Sequence, residues 1–234
     1  MHSDLIRNFY NDLKFPGYYS IEDFEFYNIE GIHNIYLREI DNNLTHGLEI
    51  LDVGCGTGFV SNLFASIYKS NFTAIDFADS IDYAENFSKQ NQINNVNWIK
   101  QDFLKFIDHK QYDIIICCGV LHHMPEYQTA LNKIKTMLKP GGKLLLGLYN
   151  PWGKFLKKFC QLNYHNDTLY QDQEHNPFEL SFNYKQVLQL CDDLNFKTVN
   201  PSYYNKFVDL RALFNSYNGG LALYVFEKPI WKKQ

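Results

Sequence analysis

The stretch EILDVGCGTG, residues 49–58, decides how this chain is read. Ile50, Leu51 and Val53 make a short apolar run that ends at Gly54, the pattern of a buried strand. Glycines 54, 56 and 58 follow it and lead into a helix expected over 57–69. Missing side chains let the backbone turn tightly there and come close to a ligand. A nicotinamide fingerprint, Gly-x-Gly-x-x-Gly, would need its third glycine at 59, where the chain has Phe59. The spacing here is Gly-x-Gly-x-Gly with Asp52 ahead of it. A carboxylate in that place opposes an anionic diphosphate and suits a cationic ligand carrying an amino group and a sulfonium.

Working outward, strand and helix patterns alternate. Strands are expected at 72–76, 96–102, 112–120 and 143–149. YDIIICCGV (112–120) is apolar on both faces, as central parallel strands are. Asp79 is placed to cap a helix running to about Asn91. Pro125 suits the first turn of the next helix, and Lys139-Pro140-Gly141-Gly142 its end. βαβ spacing of this kind implies a doubly wound, mostly parallel α/β sheet with helices on both faces. A helix at 183–194 and two weaker strands, FKTVNPSYY and GGLALYVFEK, close the chain; the last pair reads as an antiparallel edge. Residues 1–47 precede the first strand and read as an N-terminal helical and aromatic cap. Pro16-Gly17 marks a turn, and Ile32, Ile35, Tyr36 and Ile40 have helical spacing.

Two further acids sit where chemistry is expected. Asp76 ends the second strand, where a carboxylate can accept hydrogen bonds from ribose hydroxyls. Asp102 ends the third, where it can accept from an adenine amino group. Phe77 and Phe103 follow them, placed either to sandwich a purine or to fill core.

Taken together, LDVGCGTG, AIDF, QDF, YDIIICCGVLHH and LKPGGKLLLGLY resemble the class I S-adenosylmethionine-dependent methyltransferase family over about residues 48–149. The resemblance implies a Rossmann-like, seven-stranded sheet whose last strand is inserted antiparallel. It implies that Asp52 and the glycine loop (Gly54, Cys55, Gly56, Gly58) hold the methionine moiety of the cofactor. By the same likeness Asp76 takes the ribose, Asp102 and Phe103 the adenine, and the backbone at Cys118 and Gly119 lies beside the cofactor. S-adenosylhomocysteine would be the product.

In open parallel sheets ligands bind beyond the carboxyl ends of the strands, where strand order reverses. The loop Gly119-Val120-Leu121-His122-His123-Met124-Pro125 leaves strand four at such a place. Methyl transfer is an in-line displacement that needs alignment and a dry site, and a base only if the acceptor must lose a proton. His122 and His123 are the candidate bases; either can instead hold the loop. His122 is the one expected to face the site, and His123, next to the helix start, to shape the loop. No Asn/Asp-Pro-Pro-aromatic motif and no Pro-Cys nucleophile follows strand four, which argues against methylation of nucleic-acid bases.

The acceptor is expected to meet the cap and a segment at 150–178. Tyr10, Tyr18, Tyr19, Tyr149 and Trp152 are the candidate substrate contacts, with Phe15, Phe26, Tyr164, His165, Tyr170, Asp172, Glu174 and His175 nearby in sequence. Aromatic residues make up 17% of the 234 residues, enough to serve a lid as well as a core.

A net charge of −4 and a pI of about 6.0 advertise neither a nucleic-acid nor an anionic-membrane partner. One local exception is 132–158, with seven lysines and no acid, which reads as a solvated helix face and loop, or as an RNA contact. Five cysteines at 55, 117, 118, 160 and 191 show no metal-site spacing, so no metal is expected and a reduced, cytoplasmic protein is. The first residues, MHSDLIRNFYNDLKF, have no apolar core of signal-peptide length, and no stretch is long and apolar enough to span a membrane. The expected activity is transfer of a methyl group to an oxygen or nitrogen of a small molecule. The alternatives are a tRNA or rRNA methyltransferase and a non-catalytic cofactor-binding regulatory subunit.

Overall fold

Tyr112–Cys118 (β4) is the strand around which the rest assembles. Ile114, Ile115, Ile116 and Cys117 are buried, so both faces of β4 are covered. The structure, a computed structural model, describes residues 2–15, 17–24, 35–152, 175–199 and 221–230. On one side of β4 lies Glu49–Val53 (β1), paired parallel through Ile50↔Ile114 and Asp52↔Ile116. Beyond it come Asn71–Asp76 (β2) and Val96–Lys100 (β3), also parallel. On the other side lies Leu138–Tyr149 (β5), parallel to β4. Leu221–Glu227 (β7) pairs antiparallel with β5, and the short Lys197–Val199 (β6) pairs antiparallel with β7 at the outer edge. The order is β3-β2-β1-β4-β5-β7-β6, a seven-stranded Rossmann-like sheet in which β7 alone runs against the others.

Helices join the strands: Phe59–Ile67 (α3), Ser80–Gln90 (α4), Tyr127–Met137 (α5) and Tyr184–Asp193 (α6). Before β1 stand His2–Leu13 (α1) and Ile35–Asp41 (α2). Asn183 and Gln186 close a reciprocal capping box at the start of α6, which fixes that end where 183–194 was expected. Among the described residues no helix is long and apolar enough to cross a membrane.

Three expectations shift. Asp79 makes no side-chain cap on α4; its carboxylate pairs with Lys100, which also holds Asp82, at 2.9 and 2.7 Å. Asp79 has helical backbone, φ −70° and ψ −13°, and not the extended conformation that turns a capping side chain toward the helix amides. Second, Lys139-Pro140-Gly141-Gly142 does not lie between helix and strand. β5 begins at Leu138, and these residues form an irregularity where register jumps from Tyr112↔Leu138 to Ile114↔Lys143. Gly141 supplies the left-handed backbone there, at φ 79°. Third, the last two strands are antiparallel, but β7 is interior: its burial pattern leaves only its ends partly exposed.

Gly58 carries a packing constraint. It adopts φ 78°, and an added Cβ would stand 2.4 Å from Ala84 Cβ and 2.6 Å from Trp98 Cη2. Gly119 has the same φ of 78° with nothing within 4 Å of that position. Gly58→Ala should therefore destabilise the fold by about 2–4 kcal/mol, left-handed strain plus overpacking. Gly119→Ala should lose only the strain, about 1–2 kcal/mol. Denaturant unfolding of both variants measures the difference; equal losses would remove Ala84 and Trp98 as the constraint.

Candidate active site

Strand order reverses between β1 and β4, and a cavity of about 690 Å³ opens beyond their carboxyl ends. That volume lies in the range of small-molecule sites. Asp52, at the end of β1, is buried, and its Oδ2 accepts a 2.6 Å hydrogen bond from Ser61 Oγ on α3. Burial pushes its carboxyl up to about 7; the Ser61 bond works against that rise and the nearby charge of Asp76 adds to it. Asp76, at the end of β2, accepts from the backbone N–H of Gly56 and of Ala78, both at 2.8 Å. Its carboxyl is also raised by burial, against those backbone bonds. The same two charges, after burial itself, raise the Cys55 thiol well above its usual range. The glycine loop thus sits in a negative field with no cationic side chain of the described residues paired to Asp52 or Asp76, so the donor set fits a positively charged ligand.

Asp102 follows β3, and its Oδ1 accepts from Leu104 N–H at 2.9 Å. Asp52, Gly54, Cys55, Gly56, Asp76, Phe77, Asp102, Phe103, Cys118 and Gly119 all line the one cavity. Gly58 does not; its place is against α4 and β3, as the packing above explains. Gly119 leaves open space toward the cavity where a side chain would project. Burial pushes the Cys118 thiol up to about 12, with a hydrogen bond from Tyr36 working against the rise.

The N-terminal segment is fastened to the glycine loop itself. Thr57 N–H donates to Phe15 O at 3.0 Å, and Tyr19 Oη donates to Thr57 O at 2.8 Å. Tyr19 Oη in turn accepts from Asn62 Nδ2 at 2.9 Å. Tyr83 Oη donates to Tyr19 O at 2.6 Å. The Tyr19 ring packs against Phe24, Phe59, Tyr83 and Phe87. Tyr10, Tyr18, Tyr19 and Tyr149 line the cavity, but Trp152 does not and is exposed. Tyr18 lies mostly in solvent, its ring against Tyr83 at 4.5 Å. Phe15 lines the cavity and His175 does not, while Phe26, Tyr164, His165, Tyr170, Asp172 and Glu174 lie outside the described residues.

The histidines exchange their expected places. Leu121–His123 is a single 3₁₀ turn. His122 is wholly buried, 4.1 Å from the Tyr149 ring and 4.2 Å from His123, and does not line the cavity. His123 does line it, between Tyr10 and Tyr149. A short turn points successive side chains apart, so loop position alone could not tell which faced inward. His123 Nδ1 lies 3.0 Å from Phe178 O. A carbonyl only accepts, so Nδ1 carries the proton in the neutral ring and Nε2 keeps its lone pair.

Tyr36, Leu37, Glu126 and Leu221 also line the cavity. No motif signals them; they arrive from α2, the α5 entrance and β7 through chain reversal. The lysine-rich stretch is partly consumed inside the fold. Lys139 pairs with Asp113 at 2.8 Å, Lys143 donates to Asn43 Oδ1 at 3.0 Å, and Lys133 is spent on backbone carbonyls. Among the described residues no group of three or more His, Cys, Asp or Glu could hold a metal ion.

Comparison with known proteins agrees with this geometry. Residues 44–193 match a family model described as a methyltransferase domain. The ubiquinone biosynthesis O-methyltransferase of Coxiella burnetii is 35% identical over 122 residues, 51% of each chain. The chain thus spans about half the length of the curated relatives it matches. Magnesium protoporphyrin IX methyltransferase from Synechocystis PCC 6803, solved with bound S-adenosylmethionine, superposes with a TM-score of 0.64 at 13% identity, covering 97% of both chains. The N-methyltransferase NodS from Bradyrhizobium japonicum WM9, in complex with S-adenosylhomocysteine, gives 0.56 at 17% identity, covering 84% of this chain and 89% of its own. At such identities the structural likeness concerns the fold. Sheet order and site together define a Rossmann-like cofactor-binding transferase fold. The family match makes it specific: the chain belongs to the class I S-adenosylmethionine-dependent methyltransferases.

Two outcomes follow from the carboxylates. A cationic amino group beside Asp52 favours its ionised form, so binding lowers a carboxyl that stands near 7 in the free protein. Affinity for S-adenosylhomocysteine should then fall as pH drops through about 7, approaching tenfold per pH unit, with proton release on binding. Calorimetry in buffers of different ionisation enthalpy reads both; a pH-independent affinity between 5.5 and 7.5 would place the amino group away from Asp52. Asp76→Asn keeps an acceptor for Gly56 or Ala78 and removes a buried charge, so thermal stability should hold or rise while affinity falls about tenfold or more. Parallel losses of stability and affinity would show Asp76 to be structural only.

Proposed function

We propose that this protein transfers the methyl group of S-adenosylmethionine to an oxygen of a small, largely apolar acceptor. The observation that carries the reading is the single cavity that joins the glycine loop, Asp76 and Asp102 to His123 beneath the cap. Curated relatives of half-length coverage carry the name O-methyltransferase, which supports oxygen over nitrogen.

In this reading the cofactor supplies an electrophilic methyl on a sulfonium. Asp52 and the Gly54–Gly56 backbone hold its amino-acid end, Asp76 its ribose, and Asp102 with Phe77 and Phe103 its adenine. Residues 1–47 act as a cap and 150–178 as an acceptor-covering segment. Ile6, Tyr10, Tyr36, Leu37 and Met124 supply an apolar wall that excludes water and orients the acceptor. The bonds from Asn176 Nδ2 to Tyr10 Oη, 3.0 Å, and between His123 and Phe178 tie the two covering segments to the site. His123, with Nδ1–H directed to Phe178 O, uses Nε2 to take the acceptor's hydroxyl proton; Tyr149 and His122 fix its ring. A reducing, cytoplasmic setting belongs to the same proposal, since Cys55, Cys117, Cys118 and Cys191 are free thiols. The internal pairing of Lys133, Lys139 and Lys143 weighs against an RNA substrate.

Radiolabelled S-adenosylmethionine offered with hydroxyl-bearing aromatic acceptors and, separately, with unmodified tRNA and rRNA tests the reading. Label is expected in the small acceptors as a methyl ether; label in RNA alone would overturn it, and tight cofactor binding with no transfer to any acceptor would favour a regulatory subunit. His123→Ala should lower turnover by roughly 10²–10⁴, with cofactor affinity little changed. His122→Ala should instead lose about 2–4 kcal/mol of stability, because it empties a buried volume beside Tyr149. Wild-type turnover in the His123 variant would leave alignment and desolvation as the sources of catalysis.

A further inference from the structure

Lys133 stands on α5, outside every motif of the glycine loop, yet its side chain crosses to the turn that follows β3. Its Nζ donates to Phe103 O at 2.6 Å, to Leu104 O at 3.0 Å, and to Phe106 O in a third, short bond. An ammonium has three N–H groups, so all of them are spent on one turn. That turn is already wound by Lys105 N–H and Phe106 N–H, both donating to Asp102 O at 3.0 Å. Its remaining carbonyls converge, and only a cation satisfies three converging acceptors at one point. The same ammonium lies over the Phe103 ring, 5.0 Å from its centroid.

The consequence falls on Asp102. Leu104 N–H, inside the turn, holds Asp102 Oδ1 at 2.9 Å, while among the described residues Oδ2 has only the mostly exposed Lys105 at 3.9 Å. The shape of the turn therefore sets where Oδ2 points, and Lys133 sets the shape of the turn. Resting on the cofactor assignment above, we infer that Lys133 is a positioning residue that gives the site its preference for a 6-amino purine, acting through the Asp102–Phe106 turn. Its charge serves the fold of the cofactor site and is not offered to a polyanion.

The test compares two ligands that differ at one position of the base. Wild type should bind S-adenosylhomocysteine about ten- to hundredfold more tightly than S-inosylhomocysteine, the scale of a hydrogen bond to a charged group. Lys133→Met should bring that ratio to within about threefold, mainly by weakening S-adenosylhomocysteine. A role in stability alone would weaken both ligands together and leave the ratio intact, and that outcome overturns the inference. Where Lys133→Met does not fold by circular dichroism, Lys133→Arg takes its place. A planar guanidinium keeps the charge but cannot reach three carbonyls converging on one point, so the ratio should fall there too; an unchanged ratio overturns the inference. Failure of wild type to bind S-adenosylhomocysteine at all would instead overturn the cofactor assignment.

Discussion

Two carboxylates buried at the ends of adjacent parallel strands govern this molecule's site. Asp52 and Asp76 are brought together because β1 and β2 pair in register, Asp52 opposite Ala74, and end on the same side of the sheet. Neither has a cation of the protein for company among the described residues. Ser61 Oγ and the amides of Gly56 and Ala78 supply hydrogen bonds, which hold the carboxylates in place and offset only part of the cost of burying charge. Both carboxyls therefore stand above their ordinary range. A site held in this state gains from a ligand that brings positive charge, and S-adenosylmethionine carries it at the sulfonium and the amino group. In the proposed reading, the electrostatic strain of the free protein and the selectivity for its family's cofactor have one physical origin.

The cap depends on the same loop. Both backbone groups of Thr57 are occupied by the N-terminal segment, the N–H by Phe15 O and the carbonyl by Tyr19. The chain of bonds continues inward through Asn62, whose Oδ1 accepts from Ser88 Oγ at 2.5 Å, and on to Trp98, whose Nε1 donates to Ser88 at 3.1 Å. The N-terminal segment and the glycine loop are thereby joined at Thr57.

Charge counted along the chain and charge placed in space tell different stories here. The lysines at 133, 139 and 143 look, in sequence, like a basic run open to a polyanion. In the fold one braces a turn, one neutralises Asp113 at the amino end of β4, and one reaches the short loop after α2. Lys133 and Lys139 thus each have a partner within the fold, while the Lys139 side chain stays 39% exposed.

The sheet and the cofactor half were legible in the sequence because their signals are local. EILDVGCGTG carries strand, turn and helix start in ten consecutive residues, and the apolar run of β4 is short, rich in β-branched Ile114, Ile115 and Ile116, and closed by Gly119, which favours a buried strand over a helix. Asp76 and Asp102 could be singled out because each stands at or just beyond the end of a strand that the alternation of elements locates. The rest needed distant segments to meet. Gly58 matches the motif, but its neighbours are Ala84 and Trp98, so its reason is packing. His122 and His123 are indistinguishable along the chain, and only the packing of Tyr149 and Tyr10 around one turn of 3₁₀ helix sends one into the core and the other to the cavity. Tyr36 and Leu221 line the cavity without any sequence mark of a site, Tyr36 showing only helical spacing. Sequence by itself determined the order of strands along the chain, the glycine turn and the acids that follow the strands, all set by backbone preference within a few residues. Tertiary structure alone decided which side chains line the cavity and which cations are paired within the fold, because burial and pairing depend on residues that the chain brings together from far apart.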